Sequence, residues 1–277
     1  MTSGLTTIFI FLIFQFTLTA QMPNDAVMWE NLGDKEMGKG SYQQARTFYE
    51  TSLRHGGDTT ALFYKIGSAK KATKDYSEAV WYFEESIKRD DHHYDARAAL
   101  CLTQALAGEA EKSLKVCNRL LQDRPQDEKA LINRSKVWMI LEQTDRAIAD
   151  LAYLISFNPD NYEAFLLLGL AKYEEGKYTS AFDYFNLLVK INEKGHFAYH
   201  NRGMALKAMG EHQAAMDDFN FVIEQMPDFA PSLHNRGLLK LSVGNIESGC
   251  IDLRKAIQLD SEILLTEEIK DLCGGFE

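Results

Sequence analysis

The feature that most constrains this chain is an internal repeat of 34 residues, which continues without an insertion or a deletion. Trp29 and Gly33 align with Phe63 and Gly67 one period later. The repeats, numbered 1 to 7, span 26–59, 60–93, 94–127, 128–161, 162–195, 196–229 and 230–263. A repeat of this length is one supersecondary unit, which buries its apolar face only by stacking on its neighbours. We therefore expect a repeat array.

Three positions of the repeat show what it folds into. The eighth position is small in every repeat: Gly33, Gly67, Cys101, Ser135, Gly169, Gly203 and Gly237. So is the twentieth: Ala45, Ala79, Ser113, Ala147, Ala181, Ala215 and Gly249. The twenty-fourth is large or apolar: Tyr49, Phe83, Cys117, Leu151, Phe185, Phe219 and Leu253. Small residues let two helix axes approach closely, and the larger ones fill the space beside them. The pattern predicts two antiparallel helices per repeat, and hence an all-α fold.

The ends of these helices are also marked. One position of each repeat is predicted to turn the chain between the two helices: Gly40, Lys74, Gly108, Glu142, Gly176, Gly210 and Gly244. Glycine is common there because it closes a helix in the left-handed conformation. Pro125, Pro159 and Pro227 are predicted to end the second helix of their repeats, since proline cannot continue a helix.

With these small, large and turn positions in unbroken register, the chain resembles the tetratricopeptide repeat family. The resemblance implies a right-handed superhelical solenoid of seven helix-turn-helix repeats. Residues 264–277 are then a capping helix and tail, which cover the last apolar face. The chain departs from the family at position eleven, where the usual tyrosine is absent.

The resemblance also implies where a partner binds. In this family the concave face is built from first helices and lined by positions two, five, six, nine and twelve or thirteen. Here the candidates are Asn31, Tyr64, Lys65, Asn133, Lys136, Leu170, Tyr173, His200, Asn201, Met204, His234, Asn235 and Leu238. Amides and apolar groups suit an extended peptide or a partner helix. No three successive repeats carry the Lys, Asn and Arg set with which some family members hold a C-terminal carboxylate, so that activity is not expected.

An Asn-Arg pair recurs at positions six and seven of repeats 4, 6 and 7, and these repeats alone carry Asp at position twenty-three. An arginine in a normally aliphatic slot packs its stem, but its guanidinium then needs an acceptor. We predict three structural ion pairs, each within one repeat: Arg134–Asp150, Arg202–Asp218 and Arg236–Asp252.

The chain holds four cysteines. Cys250 lies on the last second helix and Cys273 on the capping segment, and both are placed to cross one interface. Cys101 and Cys117 occupy facing slots of repeat 3. In an oxidising compartment either pair can form a disulfide, whereas as thiols all four serve as small apolar filler. The sequence leaves both alternatives open.

Residues 1–20 contain no Asp, Glu, Lys or Arg, and the apolar run over residues 5–16 is followed by Thr-Leu-Thr-Ala at 17–20. This segment is typical of a secretory signal peptide that is cleaved after Ala20, which leaves a short lead over 21–25. A retained anchor is the alternative, although the run is shorter than the ~20 residues that span a bilayer. We expect an exported protein that is periplasmic, outer-envelope-associated or secreted.

Several other classes of function are not expected. The net charge of −10, from 30 basic and 40 acidic residues, argues against a nucleic-acid-binding protein. His196 and His200 share a helix face and His234 lies one repeat later, which is at most half a zinc site. No metal or cofactor is expected. No phosphate-binding loop and no spacing of nucleophile, base and orienting group is present, so we expect no enzyme.

The function predicted from the sequence is a non-enzymatic scaffold or adaptor that docks a peptide or helix of a partner protein in its groove. One alternative is an architectural subunit of a cell-envelope or secretion assembly, held through its convex face and ends. A third is a carrier or regulator of an exported enzyme. The partner itself is unknown at this stage.

Overall fold

The computed structural model describes residues 25–192 and 194–274. The predicted signal peptide, residues 1–20, therefore lies outside the described residues, as does most of the lead. Within the described part all regular structure is helical, and no helix there combines the length and the apolar content needed to cross a membrane. The chain divides into two compact units, Met1–Ile140 (unit 1) and Leu141–Glu277 (unit 2).

Unit 1 holds three helical hairpins and a further helix. The hairpins pair α1 with α2, α3 with α4 and α5 with α6, and α7 packs on α5 and α6. The helices are α1 Ala26–Gly38, α2 Tyr42–Arg54, α3 Thr59–Ala72, α4 Tyr76–Arg89, α5 Tyr94–Leu106, α6 Ala110–Asp123 and α7 Glu128–Ile140.

Unit 2 begins with a helix that packs on the first of three hairpins. Its helices are α8 Thr144–Phe157, α9 Tyr162–Glu174, α10 Tyr178–Ile191, α11 His196–Ala208, α12 His212–Gln225, α13 Ala230–Ser242, α14 Ile246–Leu259 and α15 Glu267–Leu272. The hairpins pair α9 with α10, α11 with α12 and α13 with α14. The predicted all-α class is confirmed, and the count of seven repeats and their superhelical course stay predictions.

Outside repeat 3, the core of each described hairpin is a large side chain that lies against a glycine. A Cβ atom built on Gly169 would stand 2.4 Å from Cε1 of Phe185, and one on Gly33 would stand 2.4 Å from Cε1 of Tyr49. Both rings are buried, with exposures of 1% and 2%. The eighth position is therefore small because the ring at the twenty-fourth position occupies the volume of a side chain there. This confirms the interpretation of those slots.

The predicted turn positions are confirmed, because all of them adopt a positive φ. Two of them, Lys74 with φ 64° and Glu142 with φ 57°, carry a side chain in this left-handed conformation, which costs a non-glycine residue ~1–2 kcal/mol. The predicted helix ends also agree with the structure, since α6, α8 and α12 end two residues before Pro125, Pro159 and Pro227.

Repeat 3 replaces the ring-on-glycine contact with a covalent bond. Cys101 and Cys117, at its eighth and twenty-fourth positions, form a disulfide with their Cα atoms 5.2 Å apart, and both are fully buried. The two slots are the ones that Gly169 and Phe185 fill in repeat 5. The cysteine pair thus holds α5 against α6 where other hairpins rely on packing.

The C-terminal segment is held to unit 2 by a second disulfide. Cys250 of α14 bonds to Cys273, which follows α15, and their Cα atoms are 5.4 Å apart. Leu265 joins the two cysteines and Leu253 in one buried cluster. Of the described cap residues, 264–274, the six of α15 are helical.

Candidate partner-binding site

The first helices of the hairpins lie beside one another within each unit. In unit 1 the amide of Asn133 on α7 donates to the carbonyl of Ala98 on α5 at 2.8 Å. In unit 2 the ammonium of Lys207 on α11 donates to Oδ1 of Asn235 on α13 at 2.9 Å. We call α1, α3, α5 and α7 the unit 1 first-helix face, and α9, α11 and α13 the unit 2 first-helix face.

On the unit 1 first-helix face, Lys65 is neutralised within the protein. Its Nζ lies 2.8 Å from Glu30 and 2.7 Å from Asp34, and Asp34 also accepts from the hydroxyl of Tyr49 at 2.9 Å. Burial by itself would lower the pKa of Lys65, but the hydrogen bonds to the two carboxylates outweigh it and raise the pKa. Lys65 therefore joins α3 to α1 and is not available to an anionic ligand.

The other unit 1 candidates differ in accessibility. Asn31 is exposed on α1. Tyr64 is half-buried, and its ring lies 6.0 Å from that of Phe83 and 5.3 Å from that of His93. Asn133 already donates to α5. Lys136 lies near Lys71, whose pKa is lowered by burial and then by the charge of Lys136.

Apolar candidates dominate the unit 2 first-helix face. Leu170 and Tyr173 of α9 pack on the buried cluster that includes Phe185. Met204 of α11 packs on the cluster of Phe219, and Leu238 of α13 on that of Cys250 and Leu253. Each of the four candidates is only partly buried, so each presents apolar surface on the face. The amides of Asn201 and Asn235 lie on the same helices and donate to the carbonyls of Phe197 and Pro231.

The structure corrects the prediction for His200, which was expected to line the groove. Its side chain is 8% exposed, and its Nδ1 lies 2.8 Å from the hydroxyl of Ser232 on α13. Burial, followed by the charge of Lys207, lowers its pKa to about 4, which keeps the imidazole neutral at physiological pH. His200 therefore packs α11 against α13. His234 occupies the same position in the next repeat and is partly buried. Burial and the charge of Lys207 lower its pKa.

Two of the three predicted ion pairs are brought together. Arg202 donates from Nε and Nη2 to the two oxygens of Asp218, at 2.9 and 2.6 Å. Arg236 donates in the same way to Asp252, at 2.7 Å for both bonds. Arg134 lies in unit 1 and Asp150 in unit 2, so their pairing stays a prediction.

Each arginine also makes a contact that the sequence analysis missed. Its Nη1 donates at 2.8 Å to an asparagine of the preceding repeat: Asn118 for Arg134, Asn186 for Arg202 and Asn220 for Arg236. The signal was present in the sequence, since position twenty-five is Asn only in repeats 3, 5 and 6, those that precede an Asn-Arg repeat. Arg202 and Arg236 thus each link the two helices of their own hairpin and the previous hairpin.

Burial has different net effects on the pKa values of Asp218 and Asp252, the carboxylates of the two ion pairs. At Asp218 burial outweighs the hydrogen bonds from Arg202, and the pKa is raised. At Asp252 burial also acts upward, but the hydrogen bonds from Arg236 and from Lys240 outweigh it, and the pKa is lowered. The second cation, with Nζ 2.8 Å from Asp252, accounts for the difference.

His196 and His200, which share a helix, make different contacts in the structure. His196 lies against the ring of Phe197, with centroids 4.3 Å apart, whereas His200 is buried against Ser232. Among residues 25–192 and 194–274, no group of three His, Cys, Asp or Glu side chains is placed to hold a metal ion.

Family models of known proteins match most of the repeat region. Three models, each described as a tetratricopeptide repeat, match residues 71–132, residues 141–196, and residues 198–228 together with 230–263. These segments fall on α3 to α14.

Similarity to individual proteins agrees with those models. The chain is 30% identical over 180 residues to DnaJ homolog subfamily C member 3 of Rattus norvegicus, and 31% identical over 94 residues to Protein PHOX3 of Arabidopsis thaliana. These matches cover 61% and 32% of this chain, but only 35% and 12% of the two relatives. In structure the chain is similar to a tetratricopeptide repeat protein from Parabacteroides merdae, with a TM-score of 0.67 and 21% identity, covering 90% of this chain and 97% of that one.

Proposed function

The chain belongs to the tetratricopeptide repeat family, and we propose that it is a non-enzymatic adaptor that binds an extended peptide or a helix of a partner protein on its first-helix faces. The observation that carries this proposal is the unit 2 first-helix face. There α9, α11 and α13 present partly buried apolar groups beside the amides of Asn201 and Asn235. Amides pair with the backbone of a bound segment, and apolar side chains of the segment fill the spaces between helices.

Site-specific photocrosslinking in the native cell tests the proposal. A photoreactive residue at Met204 or His234 samples the unit 2 first-helix face, and one at Tyr64 samples that of unit 1. The matched control is Asp217, which is exposed on the second helix α12 of the hairpin that contains Met204. We expect one defined adduct from the face positions and none from Asp217. Adducts from Asp217 alone, or from no position, contradict the proposal.

The second candidate function is an architectural subunit held through its second helices. The observation that favours it is the exposure of large apolar groups there, with Trp81 of α4 51% exposed and Ile251 of α14 57% exposed. Single exposed apolar residues are ordinary on protein surfaces, so we rank this function second. It requires that Trp81→Glu or Ile251→Glu release the protein from a stable complex, whereas substitutions of Met204 leave it in place.

We propose further that the protein is exported. The uncharged apolar segment over residues 1–20 has the pattern of a signal peptide. Both described cysteine pairs lie in disulfide geometry, and such bonds persist in oxidising compartments. Mass spectrometry of the native protein, prepared without reductant, tests both points. We expect the chain to start at Gln21 with no free thiol. An intact residue 1 together with four free thiols contradicts export.

A further inference from the structure

One cation of the unit 2 first-helix face has no acidic partner among the described residues. The described helices α9, α11 and α13 carry five Lys and Arg residues: Lys172, Arg202, Lys207, Arg236 and Lys240. Four of them form ion pairs, Lys172 with Glu175, Arg202 with Asp218, and both Arg236 and Lys240 with Asp252. Lys207 is the exception, because its ammonium donates to the neutral Oδ1 of Asn235 at 2.9 Å.

The surroundings of Lys207 make this an unfavourable place for an unpaired charge. The side chain is partly buried, and this burial lowers the pKa of its ammonium. The nearby imidazoles of His200 and His234 provide no negative charge, and the charge of Lys207 lowers the pKa of both. Removing a cation from water without a counter-ion costs free energy that a carboxylate at hydrogen-bonding distance offsets.

A similar arrangement occurs once in unit 1. Lys71 occupies position twelve of repeat 2, as Lys207 does of repeat 6, whereas the other repeats carry Met37, Ala105, Met139, Tyr173 and Leu241 there. Lys71 is partly buried, and its pKa is lowered by burial and by the charge of Lys136. Each unit thus has a desolvated lysine at the same position of its first-helix face.

We propose that the partner segment carries an acidic side chain, Asp or Glu, whose carboxylate binds the ammonium of Lys207 on the unit 2 first-helix face. The proposal rests on the proposed function, peptide binding on this face. The amide of Asn235 orients the ammonium. Met204 lies one helical turn before Lys207, and Leu238 lies one turn after Asn235. Met204 therefore shares a helix face with Lys207, and Leu238 shares one with Asn235. The acidic residue is therefore flanked by apolar ones.

The acid is assigned to a side chain because no three successive repeats carry the Lys, Asn and Arg set with which some members of the family hold a C-terminal carboxylate. The chain as a whole is acidic, with a net charge of −10. An acidic segment is therefore repelled by the protein at long range and selected only where an unpaired lysine is present.

The test uses synthetic 12-residue peptides rich in Leu and Tyr as probes. One series carries Asp or Glu at a scanned position and its match carries Asn or Gln there, and each is made with a free and with an amidated C-terminus. Binding to the full chain is measured by fluorescence anisotropy. The variant is Lys207→Met. The matched control is Lys190→Met, because Lys190 is exposed on the second helix α10.

We expect acidic peptides to bind at least tenfold more tightly than their amide matches, a difference of ~1.4 kcal/mol. Lys207→Met abolishes this preference, and Lys190→Met retains it. Lys207→Met also leaves the melting temperature unchanged or raises it, since it removes a desolvated charge.

Other outcomes separate the two proposals. An acid preference that survives in Lys207→Met, or peptide binding without any acid preference, overturns the assignment of Lys207 and leaves peptide binding intact. If the preference depends on a free C-terminus, the carboxylate that binds Lys207 is the chain end of the peptide, and its assignment to a side chain is overturned. Failure of both the acidic and the amide series to bind the unmodified chain overturns the proposed function together with this inference.

Discussion

Arg236 and Asn220 connect two successive repeats, with Nη1 of the arginine 2.8 Å from Oδ1 of the asparagine. The same guanidinium holds both oxygens of Asp252 within its own repeat. Arg202 and Asn186 repeat this arrangement one hairpin earlier, around Asp218. A single planar group therefore sets the spacing within one hairpin and between two, because its N–H groups point in fixed directions.

Removing the asparagine tests how much this link contributes. We expect Asn220→Ala to lower the free energy of unfolding by about 1–2 kcal/mol, since a hydrogen bond to a charged group contributes ~1.5–3 kcal/mol and this one is partly buried. Urea denaturation at neutral pH measures the change. Gln225→Ala, at the exposed end of the same helix, serves as the control and should have little effect. If Asn220→Ala lowers the free energy of unfolding no more than Gln225→Ala does, the bond between Arg236 and Asn220 does not contribute to stability.

The two buried carboxylates should differ when they are neutralised. Asp252 has a lowered pKa, so its contribution to stability is present above its unfolded pKa and is lost as the pH falls through the folded one. Asp218 has a raised pKa, so ionisation weakens the fold as the pH rises from the unfolded to the folded value. At pH 7 we expect Asp252→Asn to destabilise more than Asp218→Asn, by on the order of 1 kcal/mol, the contribution of one charge-assisted hydrogen bond. Chemical denaturation of both variants checks the order, and a larger loss in Asp218→Asn contradicts it.

The ring-on-glycine contact predicts opposite effects of the same substitution at two glycines. Gly169→Ala puts a Cβ 2.4 Å from Cε1 of Phe185, and the resulting overpacking should cost about 1–3 kcal/mol. Gly38→Ala, at the end of α1, meets no atom within 4 Å and should be neutral or slightly stabilising, because alanine favours a helix. Thermal melts of the two variants measure the difference. A tolerated Gly169→Ala would mean that the hairpin can open without cost.

Replacing the lysine in the left-handed turn at position 74 by glycine should stabilise the protein. Lys74 has φ 64°, and glycine removes a strain of ~1–2 kcal/mol there while adding ~0.5–1 kcal/mol of chain entropy to the unfolded state. We expect Lys74→Gly to gain about 0.5–1 kcal/mol in urea denaturation. Ala107→Gly, at the equivalent helix end of α5 where φ is −81°, should lose a similar amount. A loss in Lys74→Gly would show that its side chain contributes more than the strain costs.

Burial of His200 predicts that the protein weakens on mild acidification. Its folded pKa of about 4 lies below the unfolded value of 6.5, so the unfolded chain binds the additional proton between these values and stability falls as the pH drops through that window. The loss reaches roughly 3 kcal/mol at most, and His234 acts in the same direction. Denaturation between pH 7 and 4 should show a shallower fall in His200→Gln than in the unmodified chain. His212→Gln, on the exposed start of α12, should behave like the unmodified chain.

The candidate site could be predicted only in part. The positions on the first helices followed from the family resemblance, and Leu170, Tyr173, Met204 and Leu238 lie on such a face. The burial of His200 could not be predicted. It depends on how closely α11 approaches α13, and a 34-residue period carries no information on that distance. Lys207 was missed for a related reason: a lysine is noteworthy there only once its neighbours are known to lack a carboxylate.

The sequence by itself determined the helices, their turns and the pairing of small with large side chains, because these depend on contacts within one repeat and recur at fixed spacing. Even the left-handed turn at Lys74 could be inferred, since glycine fills that position in neighbouring repeats. Tertiary structure decided which lysines of the first-helix faces meet a carboxylate of another repeat. Lys65 meets Glu30 and Asp34 across two helices, whereas Lys207 meets an amide and no carboxylate of the described residues. Ion pairing depends on distances of a few ångströms between side chains of different repeats, and those distances are set by how the hairpins pack.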